Sequence, residues 1–153
     1  MNFEHKGHEY TLTVEDDTDT GAPWMENDGH GPVSDWTTRD KRPGELILSE
    51  DRHAKRFYDF AAACKLARAD GWDSNPLNTG QETKRQQACK AALSDFDYLR
   101  RWCSADWRYV GVTVRRADAC ECCAPSESLW GVESGCEDYI LEIATQLADE
   151  LSA

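Results

Sequence analysis

Cysteine and histidine carry the chemistry in this chain that depends most on spacing, and there are seven of the first and four of the second. The densest cluster is Cys120-Glu121-Cys122-Cys123, with Cys136 thirteen residues beyond. Cys120 and Cys123 have the C-x-x-C separation with which one turn offers two thiolates to a tetrahedral zinc ion. Beyond His5-x-x-His8 near the N-terminus, no second Cys or His pair has that spacing, so no metal ligand is assigned. The expectation is an exposed hairpin loop whose thiols oxidise readily. Cys64, Cys89 and Cys103 fall on apolar stripes at helical spacing and are expected as buried, reduced core residues.

Of the histidines, His5-x-x-His8 could clasp a metal, but it lies near a terminus that is expected to fray. His30 sits in Glu26-Asn27-Asp28-Gly29-His30-Gly31-Pro32, where an acid beside an imidazole in a Gly-flanked loop is raw material for general acid–base or metal chemistry. The competing reading is a turn in which Asp28 and His30 cap backbone groups. Asp95 and Asp97 are two apart on a helix and point away from each other, so they are no catalytic pair. Phosphate loops, nucleophile elbows and zinc-protease helices are missing. No reaction is spelled out, and no catalytic residue or cofactor is assigned.

Charge is the stronger signal. The 153 residues carry 29 carboxylates against 17 Lys and Arg, a net charge of −12. Residues 1–36 hold nine carboxylates and one cation, residues 37–116 hold eleven against sixteen, and residues 117–153 hold nine and no cation. Acidic ends around a basic middle either neutralise one another in the fold or present an acidic face to something basic. The net charge opposes direct nucleic-acid binding.

The elements that must position these groups follow from hydrophobic period. Tyr10, Leu12 and Val14 alternate, as do Val110, Val112 and Val114, so 9–14 and 107–115 are expected strands, joined by 45–48 and 127–133. Period 3.6 predicts helices over 52–70, 82–104 and 135–151, the first stopping at Gly71 and the last opened by a Ser134/Glu137 capping box. Residues 21–43 are an irregular loop that Trp24 and Trp36 hold against the body. The expectation is a single α+β domain over 1–153, with an antiparallel sheet of about four strands and about three helices on one face. Six Trp argue against disorder. No apolar stretch is long enough to span a bilayer and the N-terminus has no secretory character, so a soluble cytoplasmic protein is expected.

Several strings resemble a family of small acidic proteins encoded in tailed phages and prophages. They are Trp24-x-Glu26-x-Asp28-Gly29-His30-Gly31-Pro32-Val33-Ser34, Lys41-Arg42-Pro43-Gly44-Glu45, Arg56-Phe57-Tyr58-Asp59-Phe60, Leu99-Arg100-Arg101-Trp102-Cys103, Tyr109-Val110-Gly111-Val112 and Ser128-Leu129-Trp130-Gly131-Val132-Glu133-Ser134. The resemblance spans nearly the whole chain, the Cys120–Cys123 loop excepted. It brings no catalytic residues, but implies a phage accessory protein acting in the host cytoplasm.

The function expected from charge and resemblance together is an acidic interaction protein. It would bind and inhibit or modulate a host nucleic-acid-processing or defence protein through that partner's basic surface, by polyanion (DNA) mimicry. Its acidic face is expected to comprise Glu15, Asp16, Asp17, Asp19, Glu26, Asp28, Asp118, Glu121, Glu127, Glu133, Glu137 and Asp138, on a monomer or homodimer. Charge reversal at Asp16, Asp17 and Asp28 is expected to slow association and spare the fold. The alternative is a small enzyme or metal-binding regulator built on the Asp28/His30 loop or the Cys120–Cys123 loop.

Overall fold

The computed structural model describes residues 1–72, 79–119 and 124–152. Its elements in chain order are β1 (Asn2–His5), β2 (His8–Asp16), α1 (Pro23–Glu26), β3 (Val33–Trp36), β4 (Glu45–Glu50), β5 (Lys55–Asp59), α2 (Phe60–Asp70), α3 (Lys84–Cys103), β6 (Tyr109–Arg116), β7 (Ser126–Glu133) and α4 (Glu137–Ser152). This is an α+β protein with antiparallel sheets, as the hydrophobic periods predict. The chain divides into two compact units, Met1–Thr20 with Trp107–Ala153, and Gly21–Asp106.

The first unit is a four-stranded sheet, ordered β1-β2-β6-β7, with α4 on one face. The alternating residues Tyr10, Leu12, Val110, Val112, Val114 and Val132 bury against Ile143, Ala144, Leu147 and Ala148 of the helix. β6 and β7 pair as expected, Val112 lying opposite Leu129. The N-terminus is not frayed: Lys6 and Gly7, both at positive φ, turn β1 back onto β2, so that His5 faces His8 across the hairpin. His5 then bonds Asp149 on α4 at 2.6 Å. The Ser134 capping box does not form as expected. Its hydroxyl accepts the Arg108 backbone N–H at 2.9 Å, and α4 starts only at Glu137.

The second unit is a three-stranded sheet, ordered β3-β5-β4, with α2 and α3 packed against it. The 45–48 strand therefore belongs to this sheet, not to the one containing β2. Two further expectations are corrected here. The segment 21–43 contains α1 and β3, although Trp24 is packed as expected, edge-on to Trp102 at 5.2 Å. The first long helix starts at Phe60 rather than 52, because 55–59 form the central strand. Phe57 and Tyr58 are consecutive and both buried, so the strand shows no alternation, and the Phe57/Phe60 spacing imitates a helical period. Asp59 ends the strand and caps α2 by accepting the Ala62 N–H at 2.8 Å; Gly71, at φ 70, ends the helix as predicted.

Cys64, Cys89 and Cys103 are half-buried free thiols rather than fully buried core, because α2 and α3 bury alanines (Ala63, Ala67, Ala88, Ala92) at their closest approach. Cys136 is exposed. The Cys120-Glu121-Cys122-Cys123 cluster lies outside the described residues, as do residues 73–78.

The connection before β4 is held by charge. Arg39 lies between the Trp36 and Phe57 rings, 4.3 and 4.6 Å from their centroids, and grips Glu45 with both terminal nitrogens at 2.8 and 2.9 Å. That clamp, with the Arg42 N–H, holds the Glu45 carboxyl down at about 2 from an ordinary 4.5. A carboxylate with a depressed folded pKa stabilises above its unfolded value and loses that contribution as pH falls towards the folded one. The stability difference between the wild type and Glu45→Gln, read by urea unfolding, is therefore expected to be full at pH 5 and above. It is expected to shrink steadily from pH 4.5 to 2; a difference independent of pH over that window would show that the clamp is not ionic.

Candidate functional site

Folding brings the two acidic ends of the chain into one unit. The segments 1–20 and 107–153 contain 15 carboxylates and four Lys or Arg, a balance of −11, whereas 21–106 contains 14 and 13. The cause is topological: β2, from the N-terminal segment, pairs along seven positions with β6, from the C-terminal one. Of the sixteen cations of the basic middle, only Arg108, Arg115 and Arg116 fall within this unit.

Sheet direction then sorts the carboxylates. β2 and β7 are each antiparallel to β6, so both end at the edge of the sheet where β6 begins. Glu15, Asp16, Asp17 and Asp19 at the end of β2 share that edge with Glu133 at the end of β7, and with Glu137 and Asp138 where α4 opens. The one Lys or Arg among these segments is Arg108, immediately before β6. Asp118 and Glu127 stand at the opposite edge, roughly 24 Å away by the rise of an eight-residue strand. Glu26 and Asp28 lie in the other unit, and Glu121 lies outside the described residues. The twelve expected residues are therefore not brought together as one set within this unit: seven gather at one end of the sheet.

Their partners separate structure from display. Asp17 is a structural carboxylate. It accepts the Thr20 hydroxyl at 2.7 Å, the Thr20 and Asp19 N–H groups, and the Gly131 N–H of β7 at 2.9 Å. The Thr20 bonds foremost hold its carboxyl below the ordinary range. Reversing its charge would release the turn after β2, so the expectation that Asp17 can be reversed without cost to the fold is corrected. Asp16 pairs with Arg108 at 2.7 Å, and Asp118 with Arg116 at 2.8 Å. Glu15, Asp19, Glu137 and Asp138 are exposed and, among the described residues, have no side-chain hydrogen bond or ion pair. At the N-terminus of α4, Glu137 and Asp138 also meet the positive end of the helix dipole, an attraction that supports the start of the helix.

His30 is placed differently from its sequence reading. Asp28 is exposed and has no side-chain partner among the described residues, and the imidazole instead meets Asp95 of α3, Nδ1 to Oδ1 at 2.6 Å. Asp95 Oδ2 accepts the Gly31 N–H at 2.8 Å and the Tyr58 hydroxyl at 2.7 Å. The His30 ring stacks on Tyr98 at 5.6 Å. Burial first, then the Asp95 charge, pushes the Tyr58 phenol well above its ordinary range, so it stays a donor. Among the described residues no Ser, Thr or Cys hydrogen-bonds the imidazole. The network ties the 27–32 loop to β5 and α3. Asp97 is exposed and takes no part, in keeping with its opposite direction on the helix.

Comparison of the chain with family models, with curated proteins and with solved structures finds no match. Among the described residues no group of three or more His, Cys, Asp or Glu is placed to hold a metal ion, and no helix is long and apolar enough to cross a membrane.

Proposed function

We propose that this protein is a phage accessory protein that binds a basic, nucleic-acid-binding surface of a host protein through the acidic end of its four-stranded sheet. The observation that carries this reading is the gathering of both acidic chain ends into one unit of net −11, with Glu15, Asp19, Glu137 and Asp138 exposed at one edge and without an ion-pair partner among the described residues. Carboxylates held on strand ends and a helix start stay in place without a partner, as a polyanion mimic requires. Their field attracts a cationic surface over about one Debye length, roughly 8 Å in physiological salt.

The test compares the wild type with the triple variant Glu15→Lys, Glu137→Lys, Asp138→Lys, which avoids the structural Asp17. Host proteins are captured from lysate at low and high salt, in the presence and absence of competing duplex DNA. A nucleic-acid-processing partner held at low salt, displaced by DNA and lost from the variant is the expected result, with association slowed at least tenfold. If the variant, still folded, retains the same partners at every salt concentration, the acidic edge is not the binding surface.

A further inference from the structure

We propose that the groove between α2 and α3 is a dithiol site, at which Cys64 and Cys89 reduce an anionic low-molecular-weight disulfide and close into a bridge of their own. The site belongs to the Gly21–Asp106 unit and does not rest on the acidic-edge reading.

Packing brings the two sulfurs together. α2 and α3 meet through buried alanines, and each cysteine directly follows one of them: Cys64 follows Ala63, and Cys89 follows Ala88. Both thiols therefore stand at the margin of the helix contact, half-buried and free, with Cys64 donating a hydrogen bond to Cys89. They open into a groove of about 410 Å³ that Phe60, Lys65, Arg68 and Arg85 also line, room enough for a small organic ligand. Helical spacing sets an arginine one turn from each sulfur, Arg68 at i+4 from Cys64 and Arg85 at i−4 from Cys89. Lys65, Arg68 and Arg85 are exposed, and among the described residues no carboxylate pairs with any of them.

These features select the substrate and the order of events. Three exposed cations around two thiols favour a disulfide that carries carboxylates. Burial first, then the bond to Cys89, pushes the Cys64 thiol up to about 11, so it stays a protonated donor at neutral pH and Cys89 is the attacking sulfur. The Cys89 thiolate attacks one ligand sulfur. The ligand S–S bond breaks, and its electron pair leaves with the other half, which takes up a proton as a free thiol. Cys64 then gives up its proton and attacks Cys89 Sγ, expelling the second half as a thiol. Two protein thiols are oxidised to one bridge, and one ligand disulfide is reduced to two thiols.

The experiment incubates the folded, reduced protein with oxidised glutathione, which is anionic, or with neutral hydroxyethyl disulfide, and follows the bridge by peptide mapping. Each rate is divided by that of N-acetylcysteine amide with the same reagent, which removes the reagents' own difference in reactivity. Oxidised glutathione is expected to close a Cys64–Cys89 bridge, with a corrected rate at least tenfold above that of the neutral disulfide at low salt. Cys64→Ser is expected to halt at a mixed disulfide on Cys89, and Cys89→Ser to leave Cys64 unmodified over the same time. The triple variant Lys65→Gln, Arg68→Gln, Arg85→Gln is expected to form the bridge without the preference. If neither disulfide links Cys64 to Cys89 in the folded wild type, there is no dithiol site. Equal corrected rates for the two reagents would show that the cations select nothing, and would overturn the proposal as well.

Discussion

Gly31→Ala is expected to destabilise the protein by about 3 kcal/mol, at the upper end of the cost of overpacking, and Gly111→Ala by about 1 kcal/mol or less. A Cβ at either position collides with an aromatic side chain, Tyr58 for Gly31, 2.5 Å from its hydroxyl oxygen, and the Trp130 ring for Gly111. Contact distance alone would rank the two equal. The difference lies in what the ring can do. Tyr58 is fully buried, packed against Phe96 at 5.7 Å, and its hydroxyl is committed to the Ala92 carbonyl and Asp95. It cannot retreat without breaking those bonds. Trp130 is half exposed on the edge strand and can swing into solvent. Urea unfolding of both variants tests this; equal losses, or a larger loss at Gly111, would show that ring mobility is not what decides the cost.

Asp95→Ala is the second large effect, with an expected loss of about 3–4 kcal/mol. The carboxylate serves His30 Nδ1, the Gly31 N–H and the Tyr58 hydroxyl, and its side chain is only 9% exposed. Tyr58 retains the Ala92 carbonyl, at 3.0 Å, but the Gly31 N–H and the imidazole lose their partner. Each buried group left unsatisfied costs about 1–3 kcal/mol. Asp95→Asn is expected to cost less than half as much, because an amide oxygen at Oδ2 still accepts from Gly31 and Tyr58, and its NH₂ can face an unprotonated Nδ1. Hydrogen exchange should show the 27–32 loop opening in the Ala variant and staying protected in the Asn variant. Equal loss in both would mean that the carboxylate charge, not the hydrogen-bond geometry, holds the loop.

How much was legible in the sequence differed by element. β2, β6, β7 and the bodies of α2, α3 and α4 declare themselves because each has one buried and one exposed face, and the period of burial is the period of the backbone. β5 does not, because both its faces are covered: Phe57 meets Arg39 on one side while Tyr58 enters the core on the other. β1 was hidden by its length of four residues, though Lys6-Gly7 was available as a turn signal. Cys64, Cys89 and Cys103 stand out in the sequence only as members of helical stripes, and a stripe does not distinguish the closest line of helix contact from its margin.

The amino-acid sequence by itself determined the α+β class, the antiparallel pairing of β6 with β7 and the concentration of carboxylates at both chain ends, since these depend on local period and composition. Only the tertiary structure decided which carboxylates stand together. Pairing β2 with β6 joined the two ends, and strand direction put Glu15, Asp19, Glu137 and Asp138 at one edge and Asp118 and Glu127 at the other. It also decided that His30 answers to Asp95, 65 residues away, and not to Asp28 beside it. Charge is counted along the chain, but its partners are chosen across it, by contacts between residues that have no periodic relation in sequence.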